Sequence, residues 1–366
     1  MIPFAVLRLL AQPLAVGRQS ALETAGPAAH RIGDLWNFML WFGTVVTVLV
    51  FAAFAWALFR RRPEGFRAEA DHPADRRGEG ANDEGGGRGA TERGRPRSER
   101  TGVRVMVGAG IVFPAIALGA VLVFTLRTLG AVTLPAHSVA RVDEPPAPGE
   151  LVIEVTGRQF WWEVRYLDRE PQRVFETANE LRIPVGRPVT VRLRSGDVIH
   201  SFWVPGLHGK MDLVPGRVNA IALEADRPGV WRGQCAEFCG QQHAKMAFAV
   251  VAEPAAAYEA WAARQREGAR APVDSAGIAD QGAFLASGCV LCHAVRGTLA
   301  RGRAGPDLTH LASRLTLAAG TLPNSTGHLY GWIANPQALK PGSTMPPVPL
   351  DARELHAIVR YLGTLH

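Results

Sequence analysis

Cysteine is scarce in this chain, with four among 366 residues. So few exclude a disulfide-rich secreted scaffold, in which cross-links replace a core. Charge is missing locally. No charged residue interrupts Leu35 to Phe59 or Val105 to Leu126, and each run has the ~20 residues needed to cross a bilayer. Pro63 to Thr101 is nearly free of large apolar side chains, so it cannot bury enough surface to offset its ordering entropy and reads as a disordered loop. No basic stripe with interleaved aromatics accompanies the net charge of +7, which excludes a nucleic-acid partner. No internal repeat is visible.

The excess of positive charge has a location instead. Arg60-Arg61-Arg62 follows the first apolar run, and Arg104 and Arg127 bracket the second. Arginine on one side of apolar spans marks the cytoplasmic side. The pattern predicts a membrane hairpin with a cytoplasmic connection and both termini outside, in the periplasm of a bacterial inner membrane. Trp36, Trp41 and Trp56 lie toward the ends of the first run, as interfacial aromatics do. Pro114 is tolerable in the second, because neighbouring groups can satisfy the freed carbonyl. Met1 to Val16 is modestly apolar but broken by Arg8, Gln12 and Pro13, which fits a weak signal peptide or an extracytoplasmic segment.

Beyond Pro145, Pro146 and Pro148 the pattern changes to short β-branched and aromatic runs, bounded by turn residues such as Gly157, Gly186 and Gly196. Leu151–Thr156, Gln159–Tyr166, Glu180–Ile183, Val189–Leu193, Val218–Leu223 and Ala247–Val251 read as strands of an antiparallel sandwich. A short helix follows near Tyr258 to Arg266. The last segment reads as helical, ending in an amphipathic helix over Asp351 to Leu365 with Leu355, Ile358, Val359 and Leu362 on one face. The expected layout is a multi-domain membrane protein. It runs from an N-terminal segment (1–34) to transmembrane helices (35–59 and 105–126) around a loop (60–104). A β-sandwich (136–266), a linker (267–275) and an all-α domain (276–366) follow.

All four cysteines sit in two metal-binding motifs. The first is Cys235-Ala-Glu-Phe-Cys239-Gly-Gln-Gln-His243-Ala-Lys-Met246. Electron-transfer copper takes soft thiolates with imidazole and a weak thioether, and this loop offers all three. A second imidazole is needed, and His200 in Asp197-Val-Ile-His-Ser-Phe is the candidate. A mononuclear blue site needs one cysteine, whereas two, with two histidines and a methionine, suffice for two bridged metals. A Cys235–Cys239 disulfide and a zinc site with His243 are the plainer alternatives.

The second motif is Cys289-Val-Leu-Cys292-His293, the c-type haem attachment pattern. His293 would be the axial ligand, and a carbonyl in Gly305-Pro-Asp-Leu308 can orient it. Met345, in a proline-bounded loop, is the candidate sixth ligand, with His310 and His328 as rivals. His/Met ligation suits electron transfer.

From Gly157-Arg-Gln-Phe-Trp-Trp-Glu-Val-Arg-Tyr166, Asp197 to Phe202, Lys210-Met-Asp-Leu-Val-Pro-Gly-Arg217 and Gln234 to Met246, the chain resembles subunit II of haem-copper cytochrome c oxidases. Its last 90 or so residues resemble class I cytochrome c. The combination is that of caa-type oxidases. The resemblance implies a cupredoxin-like sandwich holding a dinuclear copper A centre on His200, Cys235, Cys239, His243 and Met246, with Glu237 binding through its carbonyl. The Glu237 carboxylate would reach a magnesium ion at the interface with subunit I. Haem c would be bound by Cys289, Cys292, His293 and Met345. The implied partners are subunits I and III and an external cytochrome c or similar donor, with oxygen reduction and proton translocation in the complex rather than catalysis by this chain. A nitric oxide reductase subunit and a membrane-tethered copper carrier are the rival readings. The chain departs from the family in three places. Phe160 begins the aromatic patch usually opened by tryptophan. Val107 stands where a glutamate is common. Arg18 precedes Gln19-Ser-Ala-Leu22 where related subunits have a lipid-modified cysteine.

Overall fold

The computed structural model describes residues 19–59, 97–133 and 143–366. Leu35–Arg127 forms one compact unit, and the described residues on either side of it form another. Readings that fall on residues 1–18, 60–96 and 134–142, among them the signal peptide and most of the loop, lie outside the described residues.

The hairpin unit is built from α1 (Pro27–Phe59), α2 (Arg97–Val107) and α3 (Phe113–Val132). Its large apolar side chains are mostly turned outward, Phe51 and Leu118 among them, as lipid-facing helices require. Phe38 stacks on Phe124 at 5.3 Å and Phe42 on Phe113 at 6.2 Å, tying the two spans together. A π turn over Gly108–Val112 joins α2 to α3, and the Phe113 N–H reaches Gly108 O. Pro114 follows at once; it lacks an N–H and its ring crowds the carbonyl four residues back, so the ladder widens there.

Both helices outrun their apolar cores. α2 starts at Arg97, which corrects the assignment of 97–104 to disordered loop. Arginine and glutamate are good helix formers, and an apolar helix already nucleated beyond them extends cheaply. At the other end, Ala25 and Ala29 are buried. Ala25 N donates to Gly206 O at 2.7 Å and Ala29 N to Leu207 O at 3.3 Å, contacts internal to the unit that holds the sandwich.

Among the described residues, ten strands form two five-stranded sheets. The strands are β1 (Val152–Arg158), β2 (Trp161–Leu167), β3 (Phe175–Ala178), β4 (Glu180–Pro184) and β5 (Val189–Ser195). They continue with β6 (His200–Trp203), β7 (Met211–Leu213), β8 (Asn219–Leu223), β9 (Gly229–Cys235) and β10 (Ala247–Glu253). One sheet runs β3-β2-β1-β5-β8, the other β4-β10-β9-β6-β7. The expected antiparallel sandwich is mixed: β1 pairs with β5, and β4 with β10, in parallel. Alternation along a strand tells which face is buried but says nothing about which strand lies beside it. The core between the sheets is aromatic under one end. Trp162 meets Phe248 at 5.1 Å, and Phe248 stacks on Phe202 at 4.6 Å.

α4 (Ala255–Arg266) packs Tyr258 and Trp261 on the sandwich. α5 (Ser275–Ala286) then opens a second, helical core with α6 (Thr326–Ala334), α7 (Pro336–Leu339) and α8 (Ala352–Gly363). α8 starts in a capping box between Asp351 and Glu354 and buries Leu355, Ile358, Val359 and Leu362, the stripe its spacing predicts. Arg360 forks onto Asp280 of α5 at 2.8 and 2.6 Å. Long loops connect these helices, and the strand pairing is confined to a two-residue ladder, β11 (Thr316–Leu317) with β12 (Leu322–Pro323), and one isolated bridge between Ala294 and Arg301.

Candidate metal centre

The loop from Cys235 to Met246 joins β9 to β10 at the end of the sandwich where Trp162, Phe202 and Phe248 pack. His200 opens β6. Strand pairing sets it beside the loop, since Phe202 faces Cys235 in the register. Cys235 Sγ and Cys239 Sγ lie 3.7 Å apart and are both free thiols, so no disulfide joins them. His200, Cys235 and Cys239 group their donor atoms within 4.8 Å, all buried.

The donors form two matching halves. Cys235 Sγ has His200 Nδ1 at 3.8 Å and the Glu237 carbonyl at 3.2 Å. Cys239 Sγ has His243 Nδ1 at 3.7 Å and the Met246 sulfur at 3.8 Å. Each sulfur is thus paired with one imidazole and one weak donor. Two metals bridged by both sulfurs fit that symmetry, and one tetrahedral ion would leave donors over. The thiols share their burden unequally. The hydrogen bond between the sulfurs, assisted by His200, pulls Cys235 far below the usual thiol range and pushes Cys239 well above it.

Asp197 was not singled out from the sequence, yet it orients the site. Its Oδ1 accepts from His200 Nε2 at 2.7 Å, which leaves Nδ1 free toward the sulfurs. Burial opposes charge on His200, but the bonds with Cys235 and Asp197 outweigh it and raise the imidazole's affinity for a proton. Asp197 Oδ2 also accepts from Gln159 N at 2.7 Å, and Gln159 Nε2 donates to Cys239 O at 2.6 Å. The Glu237 carboxylate is 45 % exposed and lies 3.5 Å from Lys210 Nζ.

The second motif lines a cavity that also contains Met345. Cys289, Cys292 and His293 form part of its wall, with Leu308, Leu329, Trp332 and Ile333 supplying apolar surface. His293 Nδ1 donates to Pro306 O at 2.8 Å, the carbonyl contact expected of that loop. Nε2 then carries the free lone pair, and burial holds the imidazole below its ordinary range. An apolar haem would fit these walls, with Cys289, Cys292, His293 and Met345 as the residues that would hold it. The rival ligands lie elsewhere. Both nitrogens of His310 face the carbonyls of His366 and Glu267, at 2.8 and 3.1 Å. His328 is exposed and bonds Ser325.

Phe160 is the residue whose role the sequence left open. It is 7 % exposed, and with Trp161 and Asn179 it forms the sandwich's share of the cavity wall. Its ring atoms lie 3.1 Å from where a β-carbon on Gly240 would stand. Phe160 therefore lies between the cavity and the copper-type loop.

Residues 155–253 match the family described as cytochrome C oxidase subunit II, periplasmic domain, and residues 279–366 match cytochrome c. Cytochrome c oxidase subunit 2 of Alkalihalophilus pseudofirmus is 40% identical over 228 residues, 61% of this chain and 64% of that protein. The chain thus spans a little under two thirds of that relative. Cytochrome c oxidase subunit 2 of Bacillus sp. (strain PS3) is 30% identical over 267 residues, 70% of this chain and 73% of that protein. A solved periplasmic domain of subunit II of cytochrome oxidase from Bradyrhizobium japonicum is 30% identical, with a TM-score of 0.30 over 32% of this chain and 93% of that one. The chain belongs to the cytochrome c oxidase subunit II family, as a membrane protein with its β-sandwich and a cytochrome c domain outside the cytoplasm.

Proposed function

We propose that this chain is the electron-entry subunit of a caa-type cytochrome c oxidase. It would take electrons from an external cytochrome c or similar donor and pass them to subunit I, where oxygen is reduced to water with proton translocation. Subunit III is a further expected partner. The observation that carries the reading is the adjacency of two sites in one compact unit. A two-thiolate, two-imidazole cluster and a Cys-x-x-Cys-His cavity share Phe160 as a boundary.

His200, Cys235, the Glu237 carbonyl, Cys239, His243 and Met246 would hold a dinuclear copper A centre. Cys289 and Cys292 would bind haem c covalently, with His293 and Met345 as axial ligands. Bound, the two groups supply one-electron redox chemistry. The chain's own residues do the rest. Asp197 fixes the His200 tautomer, Pro306 fixes that of His293, and the aromatic core excludes water beneath the copper loop. The half-exposed Glu237 carboxylate beside Lys210 is the candidate magnesium contact on the subunit I side. Metal analysis with visible and EPR spectra of the purified complex tests the assignment. One low-spin haem c in this chain and a mixed-valence copper pair are expected, with oxygen uptake driven by the reduced donor. A single blue copper, zinc, or turnover of nitric oxide in place of oxygen overturns it.

A further inference from the structure

The copper-type loop and the segment leading to Met345 hold each other directly. Gln242, next to His243, donates Nε2 to Pro341 O at 2.6 Å. Lys245, next to Met246, donates Nζ to Leu339 O at 2.8 Å. Lys340, between those two carbonyls in sequence, crosses back to the sandwich. Its Nζ donates to Phe160 O at 2.8 Å and to Ala318 O at 3.0 Å. The second acceptor is delivered by an unfavourable backbone: Ala318 and Ala319 hold φ of 52° and 58°, a region that disfavours any residue with a β-carbon. The same turn puts Ala319 O on the Ala247 N–H at 2.9 Å, one residue past Met246. Such strain persists where the surroundings fix it, commonly at functional sites.

A lysine is a costly way to join two carbonyls. Lys340 is 2 % exposed, and a buried cation without a carboxylate partner is destabilising. The charges acting on it are Lys245, which repels it, and Cys239, which attracts it; burial above all brings its amine down to about 7. Its position explains its presence better than stability does. Lys340, Phe160 and Met345 line one cavity with Cys289, Cys292 and His293. Gln159, bonded to Cys239 O, is joined to Phe160. The Gln159–Phe160 pair therefore touches the cavity on one side and the copper-type loop on the other, and Lys340 holds its carbonyl.

We propose that Lys340 is a positioning residue for electron transfer between the two centres. It fixes the Gln159–Phe160 bridge and the Leu339–Met345 segment in one frame. The inference rests on the electron-transfer reading above. The step moves one electron from ferrous haem iron, which becomes ferric, to the oxidised copper pair; no bond forms or breaks and no proton is transferred. In its protonated form the buried amine also favours the reduced state of a centre beside it, by ordinary charge attraction.

The test uses the complete, metal-loaded oxidase and follows haem-to-copper electron transfer after photoinjection of one electron. Lys340→Met is expected to slow the step by about tenfold or more, the scale of a small misplacement in a positioned site, and to lower the haem midpoint potential. The Gln242→Ala/Lys245→Ala double variant loosens the same segment from the copper side. It is expected to slow transfer too, and it serves as the variant of record should Lys340→Met fail to assemble. Haem and copper spectra present with an unchanged rate in the assembled variants overturn the role of Lys340. Absence of those spectra in the unsubstituted chain overturns the electron-transfer reading instead, so the two failures are distinct.

Discussion

Gly157 of β1 and His200 of β6 meet across the sandwich so closely that a β-carbon on Gly157 would stand 2.7 Å from the imidazole Cδ2. The glycine is the seat of the histidine ring. Gly157→Ala is therefore expected to push His200 out of line with Cys235 and Asp197. Overpacking of this kind costs about 1–3 kcal/mol, which a sandwich of this size survives. Copper content and the EPR signal should fall while circular dichroism shows the strands intact. Full copper loading in the alanine variant would contradict this.

Gly305 plays the same part for the other ring. A β-carbon there would lie 2.5 Å from His293 Cε1 and 2.9 Å from Nδ1, against the nitrogen that donates to Pro306 O. Gly305→Ala should tilt or displace His293 and weaken axial ligation. The visible spectrum is expected to shift from low-spin toward high-spin haem, with the covalent attachment at Cys289 and Cys292 retained. A low-spin spectrum identical to that of the unsubstituted chain would show that the ring has room to spare.

Glu180 joins the cytochrome c domain to the sandwich through its carboxylate. Oε2 accepts from Leu315 N at 2.9 Å, while Oε1 accepts from Arg182 at 3.0 Å. Glu180→Ala leaves the Leu315 N–H and the Arg182 guanidinium short of a partner at a mostly buried site, an effect of about 1–3 kcal/mol. Hydrogen exchange at Leu315 should accelerate, and protease should cut nearer Arg314 than before. Unchanged exchange at Leu315 would mean that other contacts alone hold the domain.

The thiol pair carries a pH signature when copper is stripped with a chelator. The shared hydrogen bond holds Cys235 far below the usual thiol range and raises Cys239. Ionisation of Cys235 is then complete below neutral pH and is reversed only in acid. Cys239 stays protonated through the range where a free thiol ionises. Ultraviolet thiolate absorbance of a Cys289→Ala/Cys292→Ala background should thus report one thiolate at neutral pH and no second step near the normal thiol value. Two steps near that value would show that the sulfurs do not share a proton.

Much of this architecture is readable from local pattern. Two uncharged runs flanked by arginine specify spans and their sides, because charge is costly in lipid. Candidate donors close in sequence, from Cys235 to Met246 and from Cys289 to His293, stand out by residue type and spacing. The face of α8 is likewise fixed by helical period, and Leu355, Ile358, Val359 and Leu362 are buried as it requires.

Other features depend on which segments meet, and no local pattern encodes that. The parallel pairings of β1 with β5 and β4 with β10 belong to the chain's path between sheets. Asp197 becomes a partner of His200 only once a turn brings its carboxylate to Nε2. Phe160, a departure from the family pattern in the sequence, becomes a wall shared by two sites. Lys340 is the clearest case. In sequence it is a lone lysine before a proline, and only folding sets its ammonium on the Phe160 carbonyl, 180 positions away. The sequence by itself determined which candidate donors lie close together along the chain, because donor chemistry resides in side chains and their spacing. The tertiary structure decided how the two candidate sites are joined, because contacts between distant segments exist only after the cores have closed.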